Sequence, residues 1–245
     1  MRDPSPLGRV RVILCSTSHP GNIGASARAM KTMGLASLYL VNPVRFPAAD
    51  ALAMASGAAD VLRNAVVCGS IDEALAGTVF AVACTARSRD LSHAVLTARE
   101  TGARLLREAA QGPVALVFGP EKTGLTAREV SRCAAIGMIP ASPDYTSLNL
   151  AAAVQIFAYE LHQAAAAVAT YPQETYEAAS YEEVELFFHH LEQTLYDTEF
   201  LDPKQPRRLM QRLRRLFQRA RLEKEEVNIL RGILSAAQKS GKQNS

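Results

Sequence analysis

The sequence lacks the features that mark exported and membrane-spanning proteins. Its first residues, MRDPSPLGR, carry charges and prolines in place of the apolar stretch that a secretory signal needs. The most apolar long segment, residues 148–169, is interrupted by Glu160, His162 and several amides, which favours a buried helix over a membrane span. We therefore expect a cytoplasmic protein.

Clustered metal ligands are also missing. The four cysteines, Cys15, Cys68, Cys84 and Cys133, are widely spaced and form no CxxC pair. His189 and His190 are neighbours, but consecutive positions on a helix point about 100° apart. We expect reduced thiols in the core and no metal site.

Two glycine motifs of nucleotide-binding proteins are absent or incomplete. The chain has no GxGxxG, and the segment FGPEKTGL (residues 118–125) has the GxxxxG spacing of a phosphate-binding loop but Leu125 where that loop requires lysine. An NTPase is therefore disfavoured. A small-nucleotide-binding α/β protein stays a weaker alternative.

Length and patterning indicate one α/β domain with a smaller appendage. The chain has 245 residues, of which 48% are hydrophobic and 21% charged, as in globular proteins. Short apolar runs alternate with helical patterns, which is typical of a parallel sheet with crossover helices. The predicted strands are residues 10–15, 37–41, 79–85, 114–118 and 136–139. The predicted helices are residues 23–33, 48–56, 71–76, 98–110, 126–133 and 148–169.

The last third of the chain is predicted to form a small helical module. Residues 170–180 lack apolar periodicity and include a proline, so they form the predicted linker between a domain at residues 1–169 and an extension at 181–245. Ser180 and Glu183 have the spacing of a capping box, and amphipathic helices are predicted after Ser180, near Arg207 and at Glu223.

The net charge of +3 hides an uneven distribution. Residues 170–202 hold nine acidic residues and no lysine or arginine, whereas residues 204–224 hold nine basic residues and one acidic residue. One face of the predicted helix after Pro206 carries Arg208, Arg212, Arg215 and Arg219. Such a basic stripe is typical of contact with phosphate backbones, and a solvated surface is the alternative.

Three loops follow predicted strands, and ligands of open α/β sheets bind outside the carboxyl ends of strands. The first, TSHPGNIGASARAMKTMG (residues 17–34), offers Gly21 and Gly24 for close backbone approach, the amide of Asn22, and Arg28 in a helix. A guanidinium near a helix N-terminus suits a phosphate-bearing ligand. A tight turn with an exposed arginine is the alternative.

The other two loops repeat this pattern. FGPEKTGL places Glu121 and Lys122 in one turn, and IPASPDYTSLNLA (residues 139–151) supplies Thr146 or Ser147 as the cap of the long alanine-rich helix. Each is compatible with an ordinary helix entry, but together the three loops predict a shared polar pocket.

A fourth segment, TARSRDL (residues 85–91), presents Arg87 and Arg89 two positions apart. In an extended chain the two would face phosphates together, and a solvated surface pair is the alternative.

Taken in order, NIGASARA, FGPEKTGL and TSLNLA resemble the three motifs of the SPOUT methyltransferases of the TrmH-like branch, over residues 10 to about 168. TSHPGNIGASARAMKTMGL, DEALAG followed by TARSR, and SPDYTSLNLAAAVQIFAYE are more closely similar to a bacterial group of tRNA (cytidine/uridine-2′-O)-methyltransferases. The basic-stripe helix and the following EEVNILRGIL are similar to the C-terminal extension of that group.

The resemblance implies a Rossmann-like parallel sheet whose C-terminal portion forms a trefoil knot, an exception to the general absence of knots. It implies S-adenosylmethionine as cofactor and a homodimer whose active site is completed across the interface. It also implies tRNA as partner, methylated on the ribose of nucleotide 32 in the anticodon loop, with no role for DNA or membrane. The implied cofactor residues are Cys84, Thr85, Ala86, Gly119, Ile139, Thr146, Ser147 and Leu148.

The resemblance also implies roles for polar residues. Arg28 is the essential residue, and because an arginine side chain stays protonated in proteins we expect it to stabilise the developing alkoxide rather than to act as a base. Asn22, Ser147 and Asn149 are expected to complete the catalytic set. The expected RNA contacts are Arg87, Arg89, Glu121, Lys122, the stacking side chain of Tyr145, and the four arginines at 208, 212, 215 and 219.

Two rivals share these motifs. A ribosomal-RNA methyltransferase of the same fold has the same three motifs, but the short segment before the first predicted strand favours the tRNA interpretation. A catalytically silent RNA-binding dimer would explain the basic stripe, whereas the presence of Arg28 and of the SLN segment argues against it.

Overall fold

A computed structural model describes residues 6–86, 93–167, 177–202 and 208–243. The chain divides into two compact units, Met1–Gln173 and Glu174–Ser245. Each unit has its own hydrophobic cluster. The finer partition into residues 1–169, 170–180 and 181–245 stays a prediction, because residues 168–176 lie outside the described residues.

In its described part the first unit is built on a seven-stranded sheet of order β3-β2-β1-β6-β4-β7-β5, with parallel pairing between neighbours. The strands are β1 Val10–Cys15, β2 Ser37–Val41, β3 Val66–Cys68, β4 Phe80–Cys84, β5 Ala94–Thr97, β6 Val114–Phe118 and β7 Ala135–Met138. The predicted parallel α/β fold is confirmed. The trefoil knot stays a prediction.

The central strands match their predicted bounds and the edge strands were missed. β1, β2 and β6 agree to the residue, and β4 and β7 differ by one residue at each end. β3 and β5, which the prediction left out, form the two edges of the sheet. Their segments, VVC and AVLT, are apolar but only three and four residues long, so the sequence does not distinguish them from other short apolar stretches, and in the fold they are mostly exposed.

Seven helices of the described residues surround this sheet. They are α1 Pro20–Thr32, α2 Ala49–Ala55, α3 Ala59–Arg63, α4 Ile71–Leu75, α5 Ala98–Glu108, α6 Ala127–Val130 and α7 Leu150–Ala167. α1 begins three residues earlier than predicted, because Pro20 suits the first turn, where its missing N–H costs nothing. The short α3 was not predicted, and α6 is shorter than the predicted helix at 126–133. No described helix is both long and apolar enough to cross a membrane.

The strand register brings the functional loops to one edge of the sheet. Leu14 lies beside Phe118, Phe118 beside Cys84, and Cys84 beside Gly137. The carboxyl ends of β1, β6, β4 and β7 therefore lie at one level, and the loops that follow them are neighbours. The four cysteines are free and buried, as predicted.

Gly24 has a packing role that differs from the prediction. A Cβ at this position would lie 2.0 Å from the Ala51 carbonyl oxygen, so α1 approaches the backbone of α2 there. The close approach that Gly24 permits is to protein and not to a ligand.

The second unit contains α8 Tyr181–Asp197, α9 Leu209–Ala220 and α10 Lys224–Gln243 among its described residues. The predicted capping box is present, with the Ser180 hydroxyl accepting from the Glu183 N–H and the Glu183 carboxylate accepting from the Ser180 N–H. Phe187, Phe188 and Val227 are at the centre of its core. Pro203 and Pro206, which precede the predicted helix near Arg207, lie outside the described residues.

Candidate active site

A cavity of about 200 Å³ opens at the carboxyl edge of the sheet, between the loops after β4, β6 and β7 and the first turns of α7. All eight residues that the resemblance assigned to the cofactor line it, namely Cys84, Thr85, Ala86, Gly119, Ile139, Thr146, Ser147 and Leu148. Glu121 and Lys122 also lie on its wall. Two of the three loops predicted to share a pocket, residues 118–125 and 139–151, therefore line one cavity, and the first loop, residues 17–34, does not line it.

The cavity depends on the tight turn that follows β6. A Cβ on Gly119 would lie 2.2 Å from the Leu125 backbone nitrogen and 2.4 Å from the Gly124 carbonyl carbon, so the loop folds back directly over Gly119. Gly124 has a φ of +65°, which favours glycine. The two glycines of FGPEKTGL thus make a backbone-lined wall.

Apolar side chains form the floor. Phe157 of α7 packs edge-on against Phe118 at a ring-centroid distance of 5.7 Å, and both line the cavity. A Cβ on Gly137 would lie 3.0 Å from the Phe157 ring. The Thr85 N–H donates to the Gly137 carbonyl at 3.1 Å, which holds the loop after β4 beside β7.

The Glu121 carboxylate ties the first loop to the second. Its Oε2 accepts from the Ser18 N–H at 3.1 Å and the Ser18 hydroxyl at 2.8 Å. Its Oε1 accepts from Asn22 Nδ2 at 2.7 Å and from the His19 N–H at 3.3 Å. Four donors from the loop after β1 therefore converge on one side chain of the loop after β6.

Asn22 extends this network to the third loop. Its Oδ1 accepts from Asn149 Nδ2 at 3.0 Å, and Asn149 Oδ1 accepts from the N–H groups of Ala151 and Ala152. Asn149 is thus the side-chain cap of α7, and the predicted cap at Thr146 or Ser147 is wrong. The helix begins at Leu150, so only Asn149 places its oxygen at the free N–H groups.

Hydrogen bonding decides the charge of Glu121. Burial raises its pKa, but the hydrogen bonds from Asn22, from the Glu121 backbone and from Ser18 outweigh that cost and lower the pKa to about 2. Glu121 is therefore a carboxylate at neutral pH, and the network is held by charge-assisted hydrogen bonds.

Among the described residues, Arg28 and Tyr145 were also predicted for the site but are not part of the cavity wall. Arg28 is exposed on α1, and in the described chain it does not line the cavity. Tyr145 is 77% exposed in a turn closed by a bridge to Ser142. Arg87 and Arg89 lie outside the described residues.

The basic stripe of the second unit lies on α9 and at its start. Arg208, Arg212 and Arg219 are exposed, and Arg215 is half-buried. Arg214 points the other way, where its guanidinium pairs with both carboxylate oxygens of Glu185 and lies over the ring of Phe188.

Comparison with known proteins shows which family this chain belongs to. Residues 9–159 match the SpoU rRNA methylase family, and residues 182–245 match the C-terminal domain of the tRNA methyltransferase TrmJ. The chain is 50% identical over 237 residues to the tRNA (cytidine/uridine-2′-O-)-methyltransferase TrmJ of Pectobacterium atrosepticum, covering 96% of this chain and 98% of that protein. The chain belongs to the TrmJ family of SpoU methylases.

Other TrmJ-family members agree in sequence and structure. The TrmJ of Yersinia enterocolitica is 48% identical, with coverage of 96% of this chain and 94% of that protein. The crystal structure of TrmJ from Z. mobilis ZM4 superposes with a TM-score of 0.82 at 33% identity, covering 92% of this chain and 97% of that one.

Two contributors to this TrmJ-family site were missed from the sequence. Ser18 gives two of the four donors to Glu121, and its signal is its position just after the end of β1. Phe157 lines the cavity from the middle of α7, where an apolar residue on an apolar helix carries no signal of a site.

The pH dependence of stability tests the Glu121 network. Because the folded pKa of Glu121 is below the usual value of about 4.3, its carboxylate stabilises the fold above that value, and this contribution is lost as the pH falls towards about 2. We expect Glu121→Gln to lower the free energy of unfolding at pH 7 by on the order of 1–3 kcal/mol. Denaturant unfolding measured between pH 2 and 7 should show a smaller acid-induced loss for the variant than for the parent chain.

A double-mutant cycle with Asn22→Ala is the matched control. Since Asn22 and Glu121 share one hydrogen bond, the two substitutions together should cost less than the sum of the single effects. Additive effects, or parallel pH curves for Glu121→Gln and the parent, would contradict the assigned role.

Proposed function

We propose that this chain transfers the methyl group of S-adenosylmethionine to the ribose 2′-hydroxyl of nucleotide 32 in the anticodon loop of tRNA. Membership of the TrmJ family makes it a tRNA (cytidine/uridine-2′-O-)-methyltransferase with S-adenosylmethionine as the methyl donor. The observation that carries the assignment is that the loops after β4, β6 and β7 line one cavity, while hydrogen bonds through Glu121 and Asn22 join the loop after β1 to two of them. The nucleotide itself rests on the resemblance of the motifs.

The chemistry of the cavity fits the cofactor. Adenine needs apolar walls and backbone groups at its edges, and the cavity supplies Leu148, Ile139 and Phe157 beside the backbone of the glycine-rich turn at Gly119. The eight lining residues predicted from the resemblance would hold the cofactor. When bound, it supplies an electrophilic methyl group on a sulfonium centre.

The chain's own residues then have to orient the ribose and balance its charge. Methyl transfer needs the 2′-oxygen in line with the methyl group, and the oxygen gains negative charge as its proton leaves. A guanidinium stabilises such charge and also pairs with a neighbouring phosphate, and both are roles that we assign to Arg28. Asn22 and Asn149 hold α1 and α7 together, and we assign Ser147, on the cavity wall, to ribose contact.

We propose a homodimer as the active form. Arg28 is exposed on α1 and lies outside the cavity wall of its own chain, as far as the structure describes it. A second copy that brings its Arg28 to this cavity would complete the catalytic set, as the resemblance implies.

The RNA contacts are assigned by charge and exposure. Lys122 is on the cavity wall, and the exposed ring of Tyr145 is available to stack on an unpaired base of the anticodon loop. Arg87 and Arg89 keep their proposed role, and the exposed arginines of α9 are proposed to contact the tRNA backbone. We place the reaction in the cytoplasm, where the substrate is.

Position mapping tests the proposal. Purified protein, labelled S-adenosylmethionine and unmodified tRNA should give label on the 2′-oxygen of nucleotide 32, detected as a nucleotide that resists alkaline cleavage. A matched tRNA with 2′-deoxyribose at nucleotide 32 should take no label, because it lacks the accepting oxygen.

Three results would overturn parts of the proposal. Label on ribosomal RNA but not on tRNA would establish the rival substrate, and label elsewhere in tRNA would refute nucleotide 32. Calorimetry that detects no binding of S-adenosylmethionine would leave an RNA-binding protein without the reaction.

A further inference from the structure

Methyl transfer to a ribose hydroxyl needs a group that accepts the departing proton, and the described wall of the cavity lacks a suitable one. Its titratable side chains are those of Cys84, Glu121 and Lys122. Burial raises the pKa of the Cys84 thiol. Burial also raises the pKa of Glu121, but hydrogen bonds lower it to about 2, so this carboxylate is a weak base. An ammonium such as that of Lys122 has no acceptor, and the guanidinium of Arg28 stays protonated.

His19 lies directly before α1, on the loop that is tied to Glu121. Its N–H donates to Glu121 Oε1 at 3.3 Å, and its carbonyl accepts from the Asn22 N–H at 2.9 Å. On the other side of the loop, the Thr17 carbonyl accepts from the Val44 N–H at 3.2 Å. The backbone of His19 is therefore held beside a side chain of the cavity wall.

The imidazole ring of His19 is exposed at this position. The residue is the N-cap of α1, yet its side chain makes no capping hydrogen bond, so the helix does not occupy the ring. Histidine is the side chain whose ordinary charge change falls near neutral pH, and it is the commonest general base of enzymes. A fixed backbone with an accessible ring suits a proton acceptor at the rim of the cavity.

We infer that His19 is the general base of the reaction, the group that accepts the proton of the 2′-hydroxyl. This inference rests on the proposed methyl transfer to tRNA. As the 2′-oxygen bonds to the methyl carbon, the carbon–sulfur bond breaks, its electron pair stays on sulfur, and the proton passes to a ring nitrogen of His19. The exposed imidazolium then releases this proton to solvent.

His19 and Arg28 have separate roles in this scheme. Arg28 lies about 12 Å along α1 from the first residue of the helix, because each residue adds about 1.5 Å. In the proposed homodimer a second copy brings its Arg28 to the cavity, while His19 stays beside Glu121 of its own chain. The ribose then meets a cation that stabilises its oxygen and a neutral ring that takes its proton.

Few charged groups lie on the described elements that pack against this loop. Glu121 and Lys122 belong to the loop after β6, and Arg45 pairs with Asp50 at the start of α2. Glu121 remains a carboxylate from about pH 5.5 to about pH 8, because its pKa is about 2. Histidine ordinarily titrates near pH 6.5, so protonation of the proposed base should show as an inflection there.

A pH–rate profile of single-turnover tRNA methylation tests the inference. The rate of the parent chain should rise with pH and level off above about pH 6.5, where an imidazole is neutral. His19→Gln should lower the plateau rate by about 10²–10⁴-fold and remove the inflection. His189→Gln is the matched control, since it replaces an exposed histidine of α8 and should keep both the rate and the inflection.

Added imidazole distinguishes a lost base from a damaged site. It should partly restore methylation by His19→Ala, in which the small side chain leaves room for a free base, and it should not restore Arg28→Ala. Calorimetry should give His19→Gln the same affinity for S-adenosylmethionine as the parent chain, because His19 is not part of the cavity wall.

Chemical modification places His19 without any turnover. In the cofactor-free protein, diethyl pyrocarbonate should modify His19, as read by mass spectrometry, and intact tRNA should protect it. A tRNA without its anticodon arm is the matched RNA and should protect it less. Equal modification in the presence of the two RNAs would contradict contact between His19 and the anticodon loop.

The parent chain separates failure of this inference from failure of the proposed function. A parent chain that methylates no tRNA would overturn the function itself. If the parent chain is active and His19→Gln keeps its rate and its inflection, His19 is not the base. Loss of activity in His19→Gln with an unchanged inflection, and without rescue of His19→Ala by imidazole, would also overturn the inference.

Discussion

Arg28→Ala should remove methyl transfer while leaving the fold and cofactor binding in place. The side chain is exposed on α1 and lies outside the cavity wall, so its removal creates no buried hole and deletes no proposed cofactor contact. Loss of one charged group that stabilises a developing oxyanion lowers turnover by about 10²–10³-fold, and a guanidinium that also orients a phosphate should give a loss at or above the top of that range. Single-turnover methylation of unmodified tRNA measures the effect.

Arg63→Ala is the control for this experiment, since it removes an exposed arginine from α3 of the same unit. It should keep full turnover. Calorimetry should give equal affinity for S-adenosylmethionine in the parent and in Arg28→Ala. Full activity of Arg28→Ala would refute the proposed chemistry, and loss of cofactor binding would move Arg28 from the reaction to the cofactor site.

Neutralisation of the basic stripe should strongly weaken tRNA binding. When Arg208, Arg212, Arg215 and Arg219 are changed to glutamine, up to four phosphate contacts are lost. Each lost contact lowers the magnitude of the slope of log affinity against log salt by about 0.7–0.9, so that magnitude should fall by up to about 3.6 and affinity should drop most at low salt. Filter binding or fluorescence anisotropy across a salt series measures both quantities.

The control removes the same number of positive charges elsewhere. The exposed arginines Arg63, Arg99, Arg107 and Arg128 lie on the first unit, and their replacement should change the slope less. If both quadruple variants show the same slope of log affinity against log salt, only the total charge matters. If the stripe variant keeps the slope of the parent chain, the arginines of α9 are solvated or take part in packing and do not bind tRNA.

The sequence was most informative where the buried pattern is strong. β1, β2 and β6 lie inside the sheet and are rich in buried apolar residues, interrupted only by Arg11 in β1 and by Ser37 and Tyr39 in β2, so their bounds could be predicted from the sequence. β3 and β5 are edge strands with exposed residues, and their short segments have no distinguishing pattern. A strand of that kind forms because a neighbour offers a free edge, which only the folded sheet reveals.

The residue that caps the N-terminus of α7 is also decided by a tertiary contact and not by local sequence. Thr146, Ser147 and Asn149 are all good capping residues, and the sequence favoured the first two. The structure selects Asn149, whose amide is also held by Asn22 from the first loop. The hydrogen bond between Asn149 and Asn22, which are 127 positions apart in the sequence, therefore decides which of the candidate residues caps the helix.

The basic helix gives a third example. Arg214 and Arg215 are adjacent and chemically identical, yet Arg214 lies over Phe188 and pairs with Glu185, while Arg215 belongs to the stripe on the other side. Helical spacing predicted this stripe from the sequence, and the structure leaves Arg208, Arg212 and Arg219 exposed while Arg215 is half-buried. The carboxylate partner of Arg214 on α8 was not predictable, since it depends on how the two helices pack.

The sequence by itself determined the class of sheet and the order of the three loops, because these follow from local pattern. The eight predicted cavity residues followed from the family that the motifs resemble. Only the tertiary structure decided that Glu121 is the acceptor joining the first two loops, and that Asn22 accepts a hydrogen bond from Asn149 at the start of α7. The reason is physical: the partly buried carboxylate of Glu121 keeps its charge because several donors converge on it, and donors from distant segments converge only after the strands are in register.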